Sequence, residues 1–253
     1  MNAAPIILGM SLKMYFGQRR TLDWCREVAS AIARHPAVLE GRVELFLLPS
    51  FPLIAPAQEI FSTTPMRIGA QDLHWEDQGA FTGEVSGALL AEMGARYAEI
   101  GHAERRRLFG ETDETVALKT AAALRNGLTP VLCVGETHQG SAEQAAQACL
   151  AQLESALTEA QRQGLHGEVI LAYEPVWAIG AAESATPAFI AEVCDLLRTG
   201  LSNAGHRARI IYGGSAGPGL LSRIQDSADG LFLGRFAHDP RAFASILDEV
   251  QLR

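Results

Sequence analysis

Residues 129–173 read TPVLCVGETHQGSAEQAAQACLAQLESALTEAQRQGLHGEVILAY, and this stretch decides the fold. It opens on a short apolar run, 129–134, and closes on another, 169–173. Each is too short for an ordinary helix and is continuously apolar, as a strand covered on both faces should be. Between them, Ala146, Cys149, Leu150, Leu153, Leu157 and Ala160 make one apolar stripe along 141–163, and Ser141 with Gln144 forms a capping box at its start. The unit is strand, helix, strand, and a crossover that long joins parallel strands.

Working outward, the same kind of run recurs at 6–10, 43–48, 67–71, 97–101, 209–212 and 231–233. Thr186 followed by Pro187 is an N-cap with a first-turn proline, ahead of the stripe Ile190, Val193, Cys194, Leu197 and Leu201. Asp239 and Pro240 repeat the device, with Phe243, Ile246, Leu247 and Val250 on the inward face. No linker or low-complexity tract breaks the pattern. Eight strands alternating with helices predict an α/β fold closed into a (β/α)8 barrel, one catalytic domain over residues 1–253. The rival, a doubly wound open sheet, more often carries a Gly-rich dinucleotide turn after its first strand, and Gly9-Met10-Ser11-Leu12-Lys13 is not one.

Composition narrows the function. A formal net charge of −8 argues against nucleic acid or an anionic membrane surface as partner. An anionic small substrate then needs a few placed groups to make its site locally positive. Cys25, Cys133, Cys149 and Cys194 are widely spaced in apolar segments, without metal-ligand spacing, so buried free thiols in a reducing cytoplasm are expected, with no metal and no cofactor. The N-terminal residues lack a basic region and a long apolar run, and no stretch has the length of a membrane span.

In a parallel barrel the chemistry collects where strands end at their carboxyl side. Those ends carry Ser11 and Lys13, His102 and Glu104, Glu174, Gly213-Gly214-Ser215, and Gly234-Arg235. Taken singly, Lys13 also suits a solvated loop charge, His102 a structural histidine, Glu174 a cap or ion-pair carboxylate, and the glycines a tight turn. Placed together on one rim, a cation, an imidazole, a carboxylate and two glycine-rich turns suit proton transfer on a phosphorylated small molecule.

These residues also carry a resemblance. Ala98-Glu99-Ile100-Gly101-His102-Ala103-Glu104-Arg105-Arg106 and Ala172-Tyr173-Glu174-Pro175-Val176-Trp177-Ala178-Ile179-Gly180 resemble two signature segments of the triosephosphate isomerase family. Leu12-Lys13-Met14, residues 79–86, Leu132-Cys133-Val134-Gly135-Glu136 and Tyr212-Gly213-Gly214-Ser215 follow in family order, so the resemblance spans residues 6–234. It implies a TIM barrel and an aldose–ketose isomerase working through an enediolate. Glu174 would be the base, His102 the neutral electrophile and Lys13 the cation on the phosphate and the developing charge. Backbone groups at Gly180, Ser215 and Gly234 would cradle the phosphate, and residues 175–185 would form a lid anchored by Trp177. Glu104 would be either a carboxylate adjoining the site or a structural ion-pair partner. The resemblance further implies a homodimer through the 79–86 loop, with Thr82 near the neighbouring subunit's site, and a place in carbohydrate metabolism, in glycolysis and gluconeogenesis.

The departures from the family pattern cluster at the substrate. Ser11 stands where the family has Asn, Leu12 where it has Trp, Ala103 where Ser is usual, and Glu183 where the lid usually has Lys. Gly234-Arg235-Phe236-Ala237 replaces Gly-Gly-Ala-Ser, so Arg235 either pairs with the phosphate or turns outward to Glu183 or a neighbouring helix. Two substrate readings result: a triose phosphate, or a four-carbon sugar phosphate such as an erythrulose phosphate, from sugar-alcohol catabolism. A third reading, of another class, is a phosphate-binding barrel without catalysis; intact Glu174, His102 and Lys13 argue against it.

Overall fold

The computed structural model describes residues 4–179 and 185–250. Eight strands alternate with helices: β1 Ile6–Ser11, β2 Val43–Leu48, β3 Arg67–Ile68, β4 Tyr97–Ile100, β5 Thr129–Val134, β6 Val169–Tyr173, β7 Ala208–Tyr212 and β8 Gly230–Leu233. Their order in the sheet is β3-β2-β1-β8-β7-β6-β5-β4, and every ladder is parallel. The remaining seam, β3 against β4, closes through backbone bonds. Arg96 N–H donates to the Ile68 carbonyl (2.8 Å), Ala70 N–H to Tyr97 (2.9 Å) and Glu99 N–H to Ala70 (2.9 Å). The α/β barrel expected from the alternation is therefore present.

The strands fall where the apolar runs predict, with one marked difference. The run 67–71 contributes only Arg67–Ile68 as a regular strand. Past Ile68 the chain keeps one backbone bond to β2, from Gly69 N–H to the Leu47 carbonyl, and the two of Ala70 to β4, and the Gln71 side chain donates to the carbonyls of Lys13 (3.1 Å) and Leu48 (2.9 Å). Side-chain bonds replace a ladder there. The central helix is Ala142–Arg162, with the Ser141–Gln144 capping box formed as predicted. Thr186 and Asp239 cap helices Pro187–Ala204 and Pro240–Asp248, each with proline at the start.

Continuous burial of the strands has a simple cause: alternate residues serve two cores. Ile6, Leu8 and Met10 of β1 face the helices, and Ile7 faces the barrel interior with Phe46, Leu48, Val131, Cys133, Ile170, Ala172, Ile211 and Phe232. The interior is so full that Gly9 is required opposite its register partner Phe46, because a Cβ there would lie 2.0 Å from the ring. Polar groups close the amino-terminal end of the barrel: Arg209 makes two hydrogen bonds to Glu44 (2.7 and 2.8 Å), and Tyr97 donates to the same carboxylate (2.6 Å). At the other end, buried Lys119 bridges Asp72 (2.6 Å) and Glu111, and Arg105 also reaches Asp72 (2.7 Å). That network ties helix Ala103–Phe109, directly behind His102, to the body of the fold. All four cysteines are buried and unpaired. No described helix is long and apolar enough to cross a membrane.

Candidate active site

The carboxyl ends of β1, β4, β6, β7 and β8 converge as the sequence reading expects. A cavity of about 40 Å³ is lined by Ser11, Lys13, His102, Glu174, Ile179, Gly213, Phe232, Leu233 and Gly234. Beside it lies a second, of about 90 Å³, lined by Lys13, Glu104, Ser215, Gly234 and Arg235 among others. Five of the eight residues nominated for the site, Ser11, Lys13, His102, Glu174 and Gly234, line the first cavity, and Arg235 and Ser215 line the second. Gly180 lies outside the described residues, as does Glu183.

Each side chain is aimed by local structure. Lys13 sits just past β1 with a positive φ of 49°, a strained turn that throws its ammonium onto Glu104 Oε1 at 2.9 Å. Glu104 is therefore both of the things expected of it, a carboxylate beside the site and an ion-pair partner. His102 caps helix Ala103–Phe109, and its Nδ1 accepts the Glu104 backbone N–H at 3.1 Å. An imidazole that accepts at Nδ1 carries its proton on Nε2, and Nε2 faces Glu174 Oε2 at 3.4 Å. Glu174 follows β6 and is 5% exposed, and its Oε2 has no hydrogen-bond partner among the described residues. Gly213 makes room for it: a Cβ there would lie 2.6 Å from Glu174 Oε1.

The electrostatics push the two central groups apart in protonation. Burial, reinforced by the negative charge of Glu99, raises the Glu174 carboxyl to about 8, with Lys13 opposing. Burial and then the Lys13 charge lower His102 to about 4, so its imidazole is neutral at pH 7. A basic glutamate beside a neutral histidine at a helix start is the pattern for which triosephosphate isomerases are themselves the standard example. Burial works against the Lys13 ammonium, but its hydrogen bond to Glu104 and the charges of Glu104, Glu174 and Glu99 outweigh that and raise its pKa. The Lys13 cation therefore stays charged at the base of the site.

Of the segment 175–185 expected to form a lid, residues 175–179 and 185 are described, and side-chain bonds hold Trp177 and Ala178. Trp177 Nε1 donates to Glu136 Oε1 (2.7 Å), and the Tyr173 hydroxyl reaches the same oxygen (3.2 Å). Ser215, at φ 49°, donates its hydroxyl to the Ala178 carbonyl (2.9 Å). Trp177 is thus an anchor through its ring nitrogen as well as its apolar face.

Two residues escaped the sequence reading. Glu136, just past β5, holds Trp177 and the Tyr173 hydroxyl. Glu99 is 3% exposed inside the barrel, accepts the Ser11 hydroxyl at 2.8 Å, and is raised by burial to about 7. Its signal was a carboxylate at an inward position of an otherwise apolar strand.

Comparison with known proteins agrees with this geometry. The family model described as triosephosphate isomerase matches residues 5–250. The chain belongs to the triosephosphate isomerase family. Among its relatives, an L-erythrulose-1-phosphate isomerase of Pectobacterium atrosepticum is 61% identical over 251 residues, covering 98% of this chain and 97% of the relative. A triosephosphate isomerase of a Synechococcus strain is 40% identical, covering 96% of each chain. A crystal structure of triosephosphate isomerase from Bartonella henselae superposes with a TM-score of 0.79 at 29% identity, over 96% of this chain and 98% of that one. The family is one of isomerases, and so is this enzyme.

Proposed function

We propose that this isomerase moves a carbonyl between adjacent carbons of a four-carbon phosphosugar, an erythrulose phosphate, with Glu174, His102 and Lys13 as its catalytic groups. The observation that carries the chemistry is the Glu174 carboxylate, whose Oε2 is without a hydrogen-bond partner among the described residues and lies 3.4 Å from the Nε2 of a neutral His102, in a cavity that Lys13 also lines. A buried carboxylate with a pKa near neutrality is suited to removing a proton from carbon. The substrate follows the relative at 61% identity, whose name specifies L-erythrulose 1-phosphate.

The steps balance without any further reactant. Glu174 takes the proton from the carbon beside the carbonyl while His102 Nε2–H donates to the carbonyl oxygen. The Lys13 ammonium stabilises the charge that develops on the enediolate oxygens. A proton passes between those oxygens through His102, and Glu174 returns its own proton to the former carbonyl carbon. In erythrulose 1-phosphate, C1 carries the ester and has no free hydroxyl, so the carbonyl moves from C2 to C3. The product is the ketose phosphorylated at the other end. The same proton transfer that is aldose–ketose on a triose is therefore ketose–ketose on this substrate.

Arg235, Ser215 and Gly234 border the outer cavity with Lys13 and are assigned to the phosphate, together with the backbone at Gly180. The protruding loop 79–86 exposes Phe81, and Met14 nearby in sequence to Lys13 is 92% exposed; these apolar surfaces support a homodimer through that loop. A four-carbon substrate moves the enzyme out of glycolysis and gluconeogenesis into sugar-alcohol breakdown. The second reading, a triose phosphate, is favoured by the matching cavity chemistry and by the 40% identity to triosephosphate isomerases. Steady-state kinetics decide: kcat/KM for erythrulose 1-phosphate is expected to exceed that for dihydroxyacetone phosphate and glyceraldehyde 3-phosphate. Equal or higher values on the trioses would overturn the four-carbon assignment.

A further inference from the structure

We infer that Ser11, locked by Glu99 as a hydrogen-bond donor, presents an acceptor to the substrate's terminal hydroxyl, and that this couple makes the site prefer four carbons to three. The inference rests on the four-carbon reading above and names how the site would achieve it.

Ser11 closes β1, is 3% exposed, and lines the inner cavity together with His102 and Glu174. Its hydroxyl has one proton and two lone pairs. The proton is given to Glu99 Oε2 at 2.8 Å, across 88 residues of sequence. With that proton committed to Glu99, Ser11 has none left for the cavity, and what its oxygen offers there is a lone pair. The group that satisfies it is a donor.

The position of that acceptor selects the donor. The cations Lys13 and Arg235 border the outer cavity, with Ser215 and Gly234, and the phosphate belongs there. The reacting carbons lie between Glu174 and His102. The end of the sugar remote from the phosphate then points to the inner cavity, where Ser11 stands. A triose phosphate ends at the reacting carbons. A four-carbon ketose carries one more CH2OH, whose O–H reaches past them.

Beyond the charge it sets against Glu174, Glu99 makes no contact that the proton transfer uses. Its Oε1 is 4.0 Å from His102 Nε2, beyond a hydrogen bond, and proton transfer is complete with Glu174 and His102. Burying a carboxylate is unfavourable unless its hydrogen bonds recover the loss. A barrel interior otherwise filled by Phe46, Val131, Ile170 and Phe232 would accept an apolar residue there readily. Glu99 is thus a positioning residue acting through Ser11.

The test is the ratio of kcat/KM for erythrulose 1-phosphate to kcat/KM for dihydroxyacetone phosphate, measured in the parent enzyme and in Ser11→Ala, Glu99→Leu and Glu99→Gln. Ser11→Ala and Glu99→Leu should each lower the ratio by roughly tenfold to a hundredfold, the range of one hydrogen bond to a buried, charge-backed acceptor. Glu99→Gln keeps an oxygen that accepts from Ser11 and should lower it by only about threefold. Thermal melts establish that each variant is folded, and Ser11→Ala removes a single atom should Glu99→Leu fail to fold. If the parent enzyme prefers the tetrulose but the ratio survives in Ser11→Ala, the Ser11–Glu99 inference is wrong and the four-carbon reading stands. Equal losses on both substrates would likewise overturn it and place Glu99 in the support of His102. A parent enzyme that prefers the triose overturns both.

Discussion

Glu174→Gln should make the protein more stable, by an amount that grows as pH rises from about 4.5 to 8. The Glu174 carboxyl is raised from its ordinary 4.5 to about 8, first by burial and then by the charge of Glu99. A folded pKa above the unfolded one means that the folded state holds its proton more tightly. Stability from this group is therefore full below pH 4.5 and is lost progressively as pH rises to about 8. At about 1.4 kcal/mol per pH unit, the full loss is about 5 kcal/mol. Relaxation around the charge reduces that, and about 3 kcal/mol is a fair expectation. Glutamine has nearly the same shape and never ionises, so Glu174→Gln should recover the loss. For a chain of this length, the gain is a Tm rise of about 6–10 °C at pH 9. At pH 5 it shrinks to less than about 1 kcal/mol. Calorimetry of both proteins at equal concentration at the two pH values reads this directly. A gain of the same size at both, or none at pH 9, would refute the claim that Glu174 is held in the fold against its charge.

Further predictions follow from the same geometry. Because the base works ionised and His102 is already neutral, kcat/KM should climb with pH towards about 8 with a single ionisation and show no separate histidine step near 6.5. Lys119→Met leaves Asp72 and Glu111 buried without their shared cation and should cost about 3–5 kcal/mol in urea unfolding. Replacing Glu136 by Gln weakens the anchor of Trp177 and should raise KM and lower kcat together, because the lid closes less firmly. Phe81→Asp should give a monomer in light scattering if the 79–86 loop is the dimer contact.

Much of the architecture was legible because it is written locally. Apolar runs of five or six residues, capping pairs such as Ser141 with Gln144, and proline starts at 187 and 240 each act within a few residues of themselves. The rim residues were legible for a related reason, since a parallel barrel places every strand's carboxyl end on one face. What escaped depends on long-range contact. The Ser11–Glu99 bond joins β1 to β4, and Glu99 reads as part of a strand until the barrel shows which way it faces. Gly9 reads as an unremarkable strand glycine until the register sets it against Phe46. The short β3 was misjudged because Gln71 supplies side-chain bonds to two neighbouring carbonyls where a ladder was expected.

The central claim is that Glu174 carries a proton between adjacent carbons of a phosphorylated ketose. Its most direct test is proton NMR of erythrulose 1-phosphate incubated with the enzyme in D2O. The expected result is the 4-phosphorylated ketose as product, deuterium entering at the carbon that receives the proton, and loss of both in Glu174→Gln. Conversion without any deuterium exchange at either carbon, or exchange that persists undiminished in Glu174→Gln, would contradict it.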